Sequence, residues 1–179
     1  MENKTMLLSE IPVESTFKIG SYEFIKFEEK DDKVIAVSRD VLFHSRFGSN
    51  NNFASSTILE KLEPVLKEVE AIVGAENVLE FETDLTSMDG SKKHGVVTGK
   101  ISLPTFDFYR NHRAIFEKFK AGNWWWLATP WETSEYTNDN WCTCVSPSGC
   151  IRYVRCLIDN RGVRPFWIFS SSISVSCEE

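Results

Sequence analysis

The stretch that decides the fold is residues 124–131, which read WWWLATPW and hold four of the chain's six tryptophans. In an extended segment successive side chains point to opposite faces, so Trp125 lies opposite Trp124 and Trp126. With one face of the strand against the core, either Trp125 or the pair Trp124/Trp126 should lie near a cleft or an interface. Trp131 opens a polar segment, and we expect its ring at the surface.

Strand patterns flank this stretch on both sides. Residues 17–27 carry alternating aromatic side chains around a Gly20-Ser21 turn, and residues 34–37 continue them as a third antiparallel strand. After the tryptophans, turn-forming segments separate three further expected strands, at residues 141–145, 150–158 and 163–169. The sequence therefore predicts a largely antiparallel sheet protein.

Two helical regions interrupt the strands. Ser55 and Ser56 are candidate N-caps of a helix that Pro64 should interrupt or restart and that Gly74 should end. A second region, residues 106–120, places four apolar side chains on one side. The pattern of strands and helices predicts the α+β class.

Length and composition fit one domain spanning residues 1–179. Hydrophobic residues make up 42% of the chain, which is enough for a full core. We find no linker, internal repeat or low-complexity segment. The glycine- and lysine-containing segment 84–99 is the expected mobile loop.

Charge and hydropathy limit the possible partners. A net charge of −6 argues against nucleic acid, because phosphate-backbone binders need a cationic field, and it leaves room for a basic partner. No apolar run approaches the roughly 20 residues that span a bilayer, and residues 1–18 lack the apolar core of a secretory signal. The five cysteines, an odd number, favour reduced thiols in a cytoplasm.

The tryptophan stretch also carries a family resemblance. Residues 125–130, WWLATP, resemble the Trp-Trp-Leu-Arg-Ser-Pro block of a domain-of-unknown-function family common in gut bacteria and their phages. That family continues with a Gly-containing hairpin, here residues 145–149, and a closing Gly-Val-Arg-Pro strand, here residues 162–165. The resemblance extends over about residues 17–173 and implies a structural role for Trp125. Alanine and threonine replace the family's Arg-Ser pair, so any role of that arginine is in doubt.

The layout also resembles the C-type-lectin-like fold of formylglycine-generating enzymes and of retroelement-diversified phage receptor binders. Those chains close on a Gly-Phe/Val-Arg strand after an irregular polar loop, as Gly162-Val163-Arg164 does here. The resemblance implies a C-type-lectin-like single domain that serves as a phage- or prophage-associated protein-binding module without catalysis. The partner would be a receptor or a host defence protein, and the protein would lie in the host cytoplasm or the virion. The alternative is a phage-encoded inhibitor of a bacterial defence system, of the anti-CRISPR type.

The candidate binding surface combines the polar segment after the tryptophans with the hairpin that follows. Its residues are Trp131, Tyr136, Asn138, Asp139, Arg152, Tyr153 and Arg155. Aromatic side chains mixed with arginine are typical of protein contacts. The alternative is that the charged arginines keep an exposed strand edge from pairing with strands of other molecules. Arg164, in the closing strand, is expected to be structural and paired.

Three other kinds of site were considered. Glu132, Glu135 and Asp139 offer oxygen ligands for Ca²⁺, but the Glu-Pro-Asn and Trp-Asn-Asp triplets of lectins are missing, which favours a solvated loop. The thiolates of Cys142-x-Cys144 with Cys150 and Cys156 suit zinc or copper and would suggest a metal-dependent oxidoreductase. Without a histidine nearby, small buried hydrophobes are favoured. His44, His94 and His112 are scattered, so we expect no catalytic residue, metal or other cofactor.

Overall fold

The computed structural model describes residues 4–133 and 139–177. In chain order its strands are β1 (Lys4–Leu7), β2 (Thr16–Ile19), β3 (Tyr22–Lys30), β4 (Lys33–Ser38), β5 (Phe43–Ser45), β6 (Phe81–Asp84), β7 (Val96–Gly99), β8 (Trp125–Pro130), β9 (Trp141–Val145), β10 (Ile151–Arg155), β11 (Arg161–Val163), β12 (Phe166–Ser170) and β13 (Ser174–Cys177). The helices are α1 (Thr57–Val73), α2 (Phe106–Asn111) and α3 (Arg113–Lys118).

The strands form three sheets in an α+β arrangement. Six strands pair in the order β1-β13-β2-β3-β4-β12, five in the order β10-β9-β8-β11-β5, and β6 pairs with β7. The pairing is antiparallel except between β11 and β8. The first and last described strands pair along Lys4–Leu7, so the two ends of the described chain meet in one sheet.

The predicted meander of β2, β3 and β4 is confirmed. Lys30 pairs with Lys33, so Asp31 and Asp32 form a two-residue turn, and both take positive φ values of 51° and 60°. Aspartate tolerates this conformation, which matches the twist of the strands it joins. On the buried face the rings of Phe17 and Phe24 stack at 5.3 Å.

Helix α1 begins as predicted and differs in its middle. The Ser56 hydroxyl accepts a hydrogen bond from the Leu59 amide at 3.0 Å, and Gly74 follows the last helical residue. The expected interruption at Pro64 is wrong, because the helix is continuous from Thr57 to Val73. Pro64 lies on the exposed side, where water can satisfy the carbonyl left unpaired, and buried Leu62 and Leu66 hold the opposite side to the core.

Two segments differ in regularity from what was expected. The second helical region divides into α2 and α3 at His112, whose φ of −116° and ψ of 25° are not helical. The segment 84–99 is not a loop throughout, because Val96–Gly99 forms β7 and pairs with β6.

The expected strand 163–169 is two strands in two sheets. β11 ends at Val163, and β12 begins at Phe166 in the six-stranded sheet. Pro165 lies at the crossing and has no N–H to give to a strand ladder, while its carbonyl accepts from the Ser38 amide at 3.0 Å. Arg164 is 1% exposed, as expected for a structural residue.

Among the described residues, no carboxylate forms an ion pair with Arg164. Its Nε donates to the Ser38 carbonyl at 3.1 Å, and its guanidinium lies over the rings of Trp125 at 4.9 Å and Phe116 at 5.6 Å. Burial is the main cause that lowers the pKa of Arg164 to about 10. The expected pairing therefore takes the form of carbonyl and cation–π contacts.

Strand β8 is buried on both faces, so the expectation that only one face packs against the core is wrong. Trp125 does lie at a cleft, a small cavity of about 10 Å³ that Tyr109 and Arg164 also line. Trp126 is 0% exposed, packs on Phe47 and belongs to the hydrophobic cluster that α1 completes. Trp125 is 3% exposed and stacks on Phe116 in a second cluster, which α2 and α3 complete. The second face is covered because these two short helices pack on it. Trp124 is half-buried beneath the guanidinium of Arg161, 4.6 Å from the ring centre.

Candidate functional site

The β9–β10 hairpin positions the candidate binding residues. β10 is an edge strand of the five-stranded sheet, and Tyr153 and Arg155 lie opposite Thr143 and Trp141. Residues two apart in a strand share a face, so Tyr153 and Arg155 lie on one face and Arg152 lies on the other.

Four side chains from three segments meet on this face. The rings of Trp131 and Tyr153 stack with centroids 4.5 Å apart and an interplanar angle of 25°. Trp141 meets Tyr153 edge-on at 5.4 Å, and the guanidinium of Arg155 lies 5.6 Å from the centre of the Trp141 ring. We call Trp131, Trp141, Tyr153 and Arg155 the aromatic ridge. Tyr153 is 52% exposed, and Trp131 and Trp141 are half-buried.

The ridge is anchored from below by Asn51, which is 0% exposed. Its side-chain amide donates to the carbonyls of Glu132 at 2.6 Å and Trp141 at 2.9 Å. Its backbone N–H donates to the carbonyl of Asp139 at 2.8 Å. One buried side chain and its backbone therefore hold the chain next to Trp131 and Trp141 and fix the spacing of the two rings.

His94 and Lys93 complete this polar support. His94 Nε2 lies 2.7 Å from Asn51 Oδ1, and Lys93 forms an ion pair with Asp139 at 2.7 Å. Burial lowers the pKa of His94, and the Asp139 carboxylate opposes that shift. Asp139 has a φ of 54°, and its buried Oδ1 has no hydrogen-bond partner in the described part of the chain.

The structure brings together some of the predicted binding residues and separates others. Trp131, Tyr153 and Arg155 lie together in the ridge. Asp139 is mostly buried in its ion pair with Lys93, and Arg152 donates to its own neighbour's carbonyl, that of Ile151, on the opposite face. Tyr136 and Asn138 lie outside the described residues, as does Glu135 among the suggested calcium ligands.

Sequence reasoning missed two residues of the site. Trp141 is the ring between Tyr153 and Arg155, and its place at the start of a predicted strand beside the polar segment was a usable signal. Asn51 lies in a run of asparagines, and it bonds to residues 81 and 90 positions away. No local pattern indicates such distant partners.

The cysteines differ from the expectation of five reduced thiols, which is wrong for one pair. Cys142 and Cys156, both 1% exposed, form a disulfide with their Cα atoms 5.5 Å apart. The hairpin brings them together, because Cys142 is the second residue of β9, opposite Val154 near the end of β10, and Cys156 directly follows β10. Burial raises the pKa of the Cys144 thiol, which is free. Two of the four thiols considered as metal ligands are thus bonded to each other.

Two of the three histidines are engaged in structural contacts. His112 lies against the Phe108 carbonyl and the Glu28 carboxylate, and His94 bonds to Asn51. In residues 4–133 and 139–177 no histidine is hydrogen-bonded to a serine, threonine or cysteine. Within the same residues no group of three or more His, Cys, Asp or Glu side chains is arranged to hold a metal ion.

Comparisons with known proteins add no family to this geometry. The chain matches no protein-family model, no curated protein and no solved structure. The function is therefore argued from the ridge and its surroundings. Within the described residues, no helix is long and apolar enough to cross a membrane.

Proposed function

We propose that the protein is a non-enzymatic binding module that captures a protein partner through the aromatic ridge. The observation that carries this proposal is the packing of Trp131 and Trp141 against Tyr153, which remains 52% exposed, with the Arg155 guanidinium over the Trp141 ring. Tryptophan, tyrosine and arginine dominate the binding energy of protein interfaces. Rings that already stack in the free protein lose little conformational freedom on binding, which favours affinity.

The chemistry around the ridge indicates which partner surface fits it. Arg155 is exposed, and Leu157, directly after β10, is 62% exposed. Apolar and cationic groups thus lie side by side in a chain whose net charge is −6. We propose a partner that presents apolar side chains and carboxylates, because such a surface matches both.

The free edge of β10 offers backbone contacts as well. The Cys156 amide donates to the Asn140 carbonyl, and the Ser146 amide donates to the Cys150 carbonyl. These two bonds show which residues of β10 turn their backbone groups toward β9, because every second residue does so. The backbone groups of Tyr153 therefore point away from β9, toward the open edge. An extended segment of the partner could add to this edge. The competing interpretation is that Arg152 and Arg155 only keep the edge from pairing with other strands.

The C-type-lectin-like fold and the phage association belong to the same proposal. The pairing of β1 with β13 and the entry of Gly162-Val163 into the five-stranded sheet after a polar segment support the fold. The phage association rests on the resemblance of residues 125–130 and 162–165 to the family common in gut bacteria and their phages. Of the two roles, receptor binding by a virion component is favoured by the Cys142–Cys156 bond, because disulfides persist in oxidising surroundings. The alternative, an inhibitor of a host defence system in the cytoplasm, would use the same ridge.

The proposal is tested by affinity capture with variants of the ridge. The immobilised protein is exposed to host membrane and cytosolic fractions, and the dissociation constant of any captured protein is then measured directly. Tyr153→Ala and Trp131→Ala should each weaken that binding by about 2 kcal/mol, roughly thirtyfold. Ile72→Ala, which removes a 56% exposed side chain from α1, is the matched control.

The fraction that yields the partner separates the two roles. Capture from the envelope fraction supports receptor binding, and capture from the cytosol supports inhibition of a defence system. If both ridge variants and the control bind every captured protein equally well, the ridge is not the contact surface. Arg155→Ala, which keeps the rings, tests the charged part of the surface separately.

A further inference from the structure

A second cleft, lined by none of the ridge residues, lies between the β6–β7 hairpin and the start of α2. Its cavity of about 260 Å³ is walled by three half-buried rings, those of Phe81, Phe108 and Phe166. The Phe166 ring meets the other two edge-on, with centroids 5.1 Å from Phe81 and 5.0 Å from Phe108. Three phenyl rings thus surround one small space.

The walls of this cleft are fixed by the surrounding backbone. Phe166 exchanges two backbone hydrogen bonds with Ser102, at 2.7 and 3.1 Å. The buried hydroxyls of Thr83 and Ser102 are bonded at 2.8 Å, which ties β6 to the same point. The Thr105 hydroxyl accepts from the Phe108 amide at 3.2 Å and caps α2. The aromatic pocket is therefore formed before any ligand enters.

Carboxylates lie around the opening. Asp84 and Asp107 line both this cavity and an adjoining one of about 170 Å³. The amide and hydroxyl of Thr86 donate to Asp84 Oδ1 at 2.9 and 2.6 Å. These bonds, the hydroxyl's first, lower the pKa of Asp84, so its carboxylate is ionised at neutral pH. Glu82 also lines the cleft and forms no ion pair with any described residue.

One cation of the protein already lies at the edge of the adjoining cavity. Arg110 pairs with Asp107 at 3.0 Å, and its guanidinium lies over the Phe106 ring at 5.5 Å. Both members of this pair are exposed, so their attraction is weak and Asp107 is only partly neutralised. The His112 imidazole packs on the Phe108 ring with centroids 4.1 Å apart, so one side of that ring is covered. In the described part of the chain, no lysine or arginine lies over the rings of Phe81, Phe108 and Phe166.

We infer that this cleft binds a small free alkylammonium ion. Phenyl faces attract a cation electrostatically, and the neighbouring carboxylates add to that attraction while they repel anions. The volume lies just below the roughly 300–1,000 Å³ of small-molecule sites, which suits a compact head group rather than a peptide. A polar substituent on the ammonium ion would extend toward Thr86 and Thr129 in the adjoining cavity.

The test uses two probes of the same shape that differ in charge. Choline and its neutral analogue 3,3-dimethylbutan-1-ol are titrated separately into the isotope-labelled full-length protein, and amide chemical shifts are followed by NMR. We expect choline to shift the amides of β6, β12 and the start of α2, and to bind about tenfold more tightly than the neutral analogue.

Variants then identify the groups responsible. Asp84→Asn retains an acceptor for Thr86 and removes the charge, and Phe81→Leu removes a ring and keeps an apolar side chain. Each should weaken choline binding by about three- to tenfold, with thermal melting used to show that the variants fold. Glu60→Gln, an exposed carboxylate on α1, is the control and should leave choline binding unchanged.

Four outcomes would overturn the inference. They are the absence of shifts in the cleft, equal affinity for the two probes, unchanged binding by both folded variants, and a response to a trimethyl-lysine peptide without any response to choline. The last of these would assign the cleft to a partner protein instead. None of them bears on the aromatic ridge, whose residues do not line the cleft.

Discussion

Replacement of Asn51 by alanine should weaken both the fold and the ridge. The side chain makes three polar contacts, to the carbonyls of Glu132 and Trp141 and to His94, and it is 0% exposed. A net hydrogen bond contributes about 0.5–1.5 kcal/mol, so three such bonds amount to about 2–4 kcal/mol. Unfolding free energies of domains are about 5–15 kcal/mol, so this loss is a large fraction of the total.

The measurement is thermal unfolding followed by circular dichroism. For a chain of this size each kcal/mol shifts the melting temperature by about 2–4 °C, so Asn51→Ala should lower it by roughly 4–16 °C. Asn123→Ala is the matched control, because Asn123 is exposed and its amide makes only a 3.4 Å contact. If the two variants melt within about 2 °C of each other, Asn51 is not the anchor that we describe.

Three further predictions concern the disulfide, the tryptophans and pH. Reduction of the bond between Cys142 and Cys156, which are 14 residues apart, should lower the free energy of unfolding by about 3 kcal/mol. Denaturant titrations with and without reductant measure this difference, and identical curves would show that the bond does not form. Trp125→Ala should lower the free energy of unfolding by roughly 3–5 kcal/mol because the ring is buried, and Trp131→Ala should lower it by clearly less. Equal losses of stability in a melting scan would place Trp131 in the core. The pKa of His94 is lowered from 6.5 by burial, so the unfolded chain binds more protons and stability should fall as the pH decreases below about 6.5. His94→Gln should flatten that decrease between pH 7 and pH 5, and an unchanged profile would assign it to other groups.

Local patterns were sufficient for some of the strands and helices, and they failed where the structure depends on contacts with distant parts of the chain. The β2–β4 meander, the Ser56 cap and strand β9 follow from alternation, capping and turn chemistry within a few residues. Pro64 was misjudged because its tolerance depends on which side of α1 faces water. The two buried faces of β8 depend on α2 and α3, which no periodicity within residues 124–131 reveals.

The candidate site shows the same division. An aromatic and arginine surface after the tryptophans was predictable from composition, and Trp131, Tyr153 and Arg155 do meet. Alternation along the predicted strand 150–158 already places Arg152 on the opposite face from Tyr153 and Arg155, so the sequence was sufficient to exclude it. The disulfide required knowledge of how β9 and β10 pair, since an odd cysteine count does not say which two residues are adjacent.

The bonds of Asn51 have a consequence for how the molecule tolerates sequence change. The side chain holds the backbone at Glu132 and its own N–H holds Asp139, so the two ends of the intervening segment are fixed independently of what joins them. Closing a longer connection between fixed ends costs only about 0.6 kcal/mol for each doubling of its length. A change in the length of the chain between Glu132 and Asp139 should therefore leave both anchor points, and the sheet behind them, in place.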